Sequence, residues 1–136
     1  MAGGFSTHFW PIARESKPKQ FLDFPGIEGT FIQNTYQRCL KVVPRENVLV
    51  VGCQKHEDLI RKQLPDLPEN NLLLGPYARH TAPCITYATY AILKRNPEAV
   101  ILVTPSDLVV RDEEAFVTGY CSQHYHPEGS KRYYLG

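Results

Sequence analysis

The sequence predicts an α/β fold built on a mostly parallel sheet with flanking helices. Three observations carry that expectation. Short apolar runs recur at residues 48–51, 71–74 and 99–103, each closed soon afterwards by glycine or proline, as buried parallel strands are. Between them lie segments whose apolar residues return at helical spacing, and the links are short. Strands alternating with helices over short links make a parallel sheet, because each parallel pairing needs a crossover and a helix is its usual form.

Taken in order, residues 5–29 carry Pro11, Pro18 and Pro25 with Gly26 and Gly29, so this leading stretch should be loop-rich, with Phe9 and Trp10 anchoring it to the body. Over residues 30–43, Phe31, Ile32, Tyr36, Cys39, Leu40 and Val43 recur as one helical face, and Pro44 stops the pattern. Residues 48–51 form a strand ended by Gly52, and residues 56–64 a second helix ended by Pro65. Residues 71–74 form another short strand. Thr81 is a good cap for a third helix, with Pro83 in its first turn, where no N–H is needed. Ile85, Ala88, Ile92 and Leu93 make the apolar face of that helix up to Pro97. Residues 99–103 are the third strand, Asp107 lies at its exit, and residues 112–120 suit a last helix.

The bulk numbers bound the function. A chain of 136 residues, 43% hydrophobic and 21% charged, is long enough for one domain with a real core. Its net charge of +1 argues against a dedicated nucleic-acid or membrane surface, which needs a clustered basic excess. No apolar stretch is long enough to span a bilayer, and the first residues do not read as a signal peptide. Cys39, Cys53, Cys84 and Cys121 sit far apart without a CxxC, which suggests reduced thiols in the cytoplasm. Cys121, His124 and His126 do not have zinc-finger spacing and read as part of a polar tail. The pair Tyr133-Tyr134 reads as packing or a frayed end.

The chemistry concentrates in residues 2–21, AGGFSTHFWPIARESKPKQF. Gly3 and Gly4 beside small hydroxyl residues make a loop whose backbone N–H groups can approach a phosphate, although a glycine pair is more often a tight turn. Lys19, on a backbone stiffened by Pro18, is a point charge suited to a polyphosphate, or simply a solvated lysine. Asp107 is either a ligand-facing carboxylate or a turn and cap residue. In an open α/β sheet ligands sit beyond the carboxyl ends of the strands, where Asp107 and the loop before Thr81 fall. Neither GxGxxG nor GxxxxGK[ST] occurs, so a dinucleotide fold and a P-loop lose their main support.

AGG-x-x-T-x-FWP followed by PKQF resembles the signature of the mannose-1-phosphate guanylyltransferases, within the sugar nucleotidyltransferase family. PRENVLVV at 44–51, AR-x-TAP at 78–83 and VTPSD at 103–107 extend the resemblance in the right order, over roughly the first 115 residues. The resemblance implies a Rossmann-like sheet and transfer of GMP from GTP to mannose 1-phosphate, giving GDP-mannose and diphosphate, with Mg2+. It implies that Ala2, Gly3, Gly4, Thr7, His8 and Lys19 hold the triphosphate and that Arg79, His80 and Thr81 lie against base and ribose. Lys19 would neutralise charge at the α-phosphate, and Asp107 would hold the metal. GTP and mannose 1-phosphate are the implied partners, with no nucleic acid or membrane; self-association is left open.

The chain departs from the family pattern on the chemistry. Phe5 and Ser6 take the x-G positions of AGG-x-G-T/S-R, and His8 stands where an arginine is usual. A histidine is shorter and mostly neutral near pH 7 unless an anion raises its pKa. Gly75 replaces a frequent glutamate and His80 an asparagine. The family's glycine loop follows a first strand, whose place in a 3-2-1-4 order lies between residues 48–51 and 99–103. The expectation is therefore an incomplete sheet with a gap there, unpaired backbone groups on both neighbours, and no second metal aspartate or sugar-phosphate half. The implied division is a partial nucleotidyltransferase domain over residues 1–118 and a divergent tail over 119–136. The alternative to an enzyme is a non-catalytic nucleotide-binding or interaction domain.

Overall fold

Six consecutive buried residues, Val48–Cys53, form β1, the strand on which the rest of the molecule packs. The computed structural model describes residues 10–23, 25–26, 28–75, 81–123 and 132–135. Helix α1 (Phe31–Leu40) starts at Thr30, whose side chain and that of Gln33 satisfy each other's free backbone N–H groups in a reciprocal capping box. Gln33 Oε1 accepts from Thr30 N at 2.9 Å. The helix ends a turn earlier than its apolar pattern suggests. Val42 N bonds to Cys39 O at 3.0 Å, tightening the last turn, and Pro44 has no N–H with which to continue. A single 3-10 turn, Arg45–Asn47, then delivers the chain into β1.

Helix α2 (Glu57–Gln63) carries Glu57 and Asp58 in its first turn and Arg61 and Lys62 in its last, the arrangement the helix dipole favours. Strand β2 (Leu72–Gly75) lies parallel to β1, with Val50 opposite Leu72. The buried Asn71 ties the two strand starts together. Its amide donates to Glu46 O at 2.9 Å and Val48 O at 3.0 Å, while Arg95 Nη1 donates to its carbonyl at 2.8 Å. Helix α3 (Thr81–Arg95) begins at Thr81 itself, so Thr81 is a helical residue and not the cap expected of it. It buries Ala88 and Ile92, but Leu93 is exposed, contrary to the expected face, as are Tyr87 and Tyr90. Strand β3 (Val100–Val103) follows, and then α4 (Glu113–Gln123), capped where Ala115 N donates to Asp112 Oδ1 at 2.8 Å.

The last strand, β4 (Arg132–Leu135), corrects an expectation. The gap foreseen between β1 and β3 is closed. Strand β4 pairs in parallel with both, Val48 opposite Tyr134 on one side and Val100 opposite Arg132 on the other. Among the described residues the sheet has four strands, all parallel, in the order β2-β1-β4-β3. The backbone groups that a vacant slot would have left unpaired are thus met by a strand from the opposite end of the chain. The architecture is the expected α/β, Rossmann-like one.

Alternation along β1 divides the core. Val48 and Val50 face a cluster with Phe21, Ile32, Tyr36, Cys39, Ile60 and Leu64 beneath α1 and α2. Leu49 and Val51 face Ala88 and Ile92 of α3 on the other side. Trp10 is 78% exposed, so the anchoring role expected of that aromatic fails; Phe9 lies outside the described residues. Among the described residues, Cys39, Cys53 and Cys84 form no disulfide. Among the described residues no helix is long and apolar enough to cross a membrane.

Candidate functional site at the carboxyl edge of the sheet

From β1 the chain turns one way to β2 through α2 and then, through α3, the other way to β3. The strand order therefore reverses between β1 and β3, and it is at the carboxyl ends flanking such a reversal that open α/β sheets leave a ligand crevice. Two segments meet at that edge, the loop leaving β3 and the leading stretch before α1.

The leading stretch is fixed by what it buries. Pro18 is among the fully enclosed side chains, and Gln20 and Phe21 are 3% and 0% exposed. Between them a 3-10 turn, Lys19–Phe21, closes with Phe21 N to Pro18 O and Leu22 N to Lys19 O, both at 3.0 Å. Phe21 packs against His56 at 5.7 Å between ring centres, and Gln63 Nε2 donates to Phe21 O at 3.2 Å. At the exit of β1 the same stretch is held again, by His56 Nε2 lying 3.1 Å from Glu15 O and by the Lys55–Glu15 ion pair. That pair holds the Glu15 carboxyl below its ordinary range, through the Lys55 hydrogen bond first and its charge second.

Lys19 is consequently presented on a rigid turn. Its ammonium lies 5.1 Å from the centre of the Phe31 ring, a cation–π contact. It also lies 3.7 Å from Asp107 Oδ2. Asp107 follows Thr104 and Ser106, both buried, on the loop leaving β3. The two side chains are unequally covered, at 18% exposure for Lys19 and 41% for Asp107, so the carboxylate is open to solvent while the ammonium is partly sheltered. The structure thus brings together, at the reversal point of the sheet, two residues singled out from opposite halves of the sequence.

Of the other candidates, Ala2, Gly3, Gly4, Thr7, His8, Arg79 and His80 lie outside the described residues, as do His124 and His126. Thr81 is exposed at the start of α3. Among the described residues no group of three or more His, Cys, Asp or Glu side chains is arranged to hold a metal ion. Asp107 by itself supplies a single carboxylate, so a divalent ion held there would need further oxygen ligands from elsewhere. Sequence reading missed Phe31 as a platform for Lys19. Its signal was present in its place as the first residue of a capped helix, but an apolar residue there is normally counted to the core.

The model of the nucleotidyl transferase family matches residues 1–126. The chain is 37% identical over 120 residues to the mannose-1-phosphate guanylyltransferase RfbM of Salmonella typhimurium, covering 85% of this chain and 25% of that protein. It is 38% identical over 120 residues to the mannose-1-phosphate guanylyltransferase of Escherichia coli K12, with the same coverage of each. It is 37% identical over 118 residues to the xanthan biosynthesis protein XanB of Xanthomonas campestris, again covering 85% and 25%. The chain spans about a quarter of the length of the curated relatives it matches. No solved structure matches it significantly.

Proposed function

This chain belongs to the nucleotidyl transferase family, and from that premise we propose that it binds GTP and transfers GMP to mannose 1-phosphate. A phosphate oxygen of the sugar phosphate attacks the α-phosphorus of GTP, the bond to the β-phosphate oxygen breaks, and GDP-mannose and diphosphate result. The observation that carries this reading is the Lys19–Asp107 pair at the carboxyl edge of the sheet. Such a transfer needs positioned charge more than a covalent nucleophile. Lys19, on its rigid turn, is suited to balance the negative charge that gathers on the phosphate oxygens. Asp107 would hold magnesium together with those oxygens; when bound, the ion makes the phosphorus more electrophilic.

The glycine loop, with His8, is assigned to the triphosphate and Arg79, His80 and Thr81 to base and ribose, all on the resemblance of their motifs. A cytoplasmic setting accords with Cys39, Cys53 and Cys84 forming no disulfide among the described residues. Calorimetric titration of GTP with magnesium, on the protein and on Lys19→Ala, tests the binding step. Micromolar affinity that falls tenfold or more in the variant, about 1.4 kcal/mol, is the expected result. Equal affinity in the two would remove Lys19 from the site. Chromatographic detection of GDP-mannose after adding mannose 1-phosphate tests transfer separately. Binding without product would leave a nucleotide-binding domain that does not catalyse.

A further inference from the structure

We propose that Arg38 is a positioning residue for Asp107, an inference that rests on the assignment of Asp107 to the transfer site. The loop from Thr104 to Asp112 has no regular structure, and Leu108 and Val109 are 49% and 42% exposed, so apolar packing holds it only in part. It is pinned at the β3 end by the buried Thr104 and Ser106. Its other end is the first turn of α4, and Arg38 holds that turn.

Arg38 is 2% exposed. Its Nε lies 3.7 Å from Glu113 Oε1, and its guanidinium carbon stands 5.4 Å from the centre of the Phe116 ring. Lys41, one turn further along, shares the Glu113 carboxylate from the solvent side. Neither Nε nor Nη1 of Arg38 makes a hydrogen bond among the described residues. A buried cation so served contributes little net stability, since desolvation offsets the attraction and an apolar side chain of similar volume is often as good. What the pair does supply is register between two elements.

The helix geometry shows what that register serves. Phe31 and Arg38 are two turns apart and share one face of α1 with Asn34. That face, with Leu108, Val109, Val110 and Glu113, encloses a cavity of about 70 Å³. One end of the face carries Phe31, which holds the Lys19 ammonium; the other carries Arg38, which holds the far end of the Asp107 loop. Lys19 and Asp107 are thereby both referenced to a single rigid helix, and their 3.7 Å separation depends on Arg38 keeping α4 in place.

The test uses amide hydrogen exchange together with magnesium-dependent GTP binding in Arg38→Met, Arg38→Lys and Asp107→Asn. In Arg38→Met, exchange over residues 105–112 should rise tenfold or more while residues 48–53 keep the wild-type rate. The magnesium concentration for half-maximal GTP binding should rise severalfold, as in Asp107→Asn, and combining the two substitutions should add nothing further. Arg38→Lys, which keeps the charge, should fall between wild type and Arg38→Met in both readouts. Unchanged exchange over residues 105–112 overturns the proposal. So does a rise shared equally by residues 48–53 in both variants, which would mark a general structural role. If Arg38→Met loosens residues 105–112 alone but Asp107→Asn leaves the magnesium dependence untouched, the positioning role stands and the metal assignment of Asp107 falls.

Discussion

Strands β1 and β3 begin with nearly the same residues, Val-Leu-Val-Val and Val-Ile-Leu-Val, yet every residue of β1 is buried and every residue of β3 is half-exposed. The difference lies in their neighbours. β1 has a strand on each side, α1 and α2 on one face and α3 on the other. Among the described residues, β3 is at an edge of the sheet and has only β4 beside it. An apolar run therefore announces a strand, but its burial is decided by the elements that pack on it. The half-exposed strand is also the one that leads into Asp107, so the candidate site is built on the less constrained half of the sheet.

Removing residues 131–136 breaks the comparison most severely, because both strands lose a common neighbour and β3 loses its ladder. Exchange protection is expected to collapse over residues 100–103 and to weaken over 48–53, where β2 still pairs. Equal protection in the shortened chain would show that β4 does not hold the sheet together. Next comes truncation of one leucine in each strand. Leu49 is 0% exposed, so Leu49→Ala should cost about 3 kcal/mol in denaturant unfolding. Leu102→Ala, at a half-exposed position, should cost about half as much, in line with the smaller area it removes from water. Equal costs would mean that β3 is as well packed as β1.

Gly52 sharpens the comparison from within β1. A Cβ at this position would lie 2.6 Å from Ile60 Cδ1, so the strand approaches α2 too closely for any side chain without a shift. Gly52→Ala should cost about 1–2 kcal/mol by overpacking. Ile60→Val removes the obstructing methyl and should recover about 1 kcal/mol of that cost in the double variant, a coupling that denaturant unfolding of the four proteins measures.

Much of this was legible in the sequence, for identifiable reasons. The three strands and the helices between them were marked by apolar period and by Pro44, Gly52, Pro65 and Pro97, all local signals. Lys19 and Asp107 were singled out by motif, but their approach to 3.7 Å is a product of topology that no local pattern encodes. The same is true of β4. Its residues, Arg-Tyr-Tyr-Leu, are not the continuous aliphatic run that marked the other strands, and its place in the sheet depends on a slot between two distant segments. Trp10 and Leu93 were misread because an apolar side chain carries no record of what will lie over it.

The smallest expected effect lies on the well-buried side, at Tyr36 of α1. Burial pushes its phenol above the ordinary tyrosine range, the nearby Arg45 opposing in part. Its hydroxyl has a long contact, 3.4 Å, to Asp66 O, so little would stabilise a phenolate there. Because the folded-state pKa is raised, this residue's contribution to stability is fully present below the unfolded value and is lost as pH rises from about 10 through the folded one. Tyr36→Phe should therefore leave stability near pH 7 almost unchanged and flatten the decline above about pH 10. Denaturant midpoints of the two proteins across that window measure the difference. Parallel alkaline curves would mean that Tyr36 ionises as freely in the folded protein as in the unfolded chain, and that the packing beneath α1 is looser than its burial indicates.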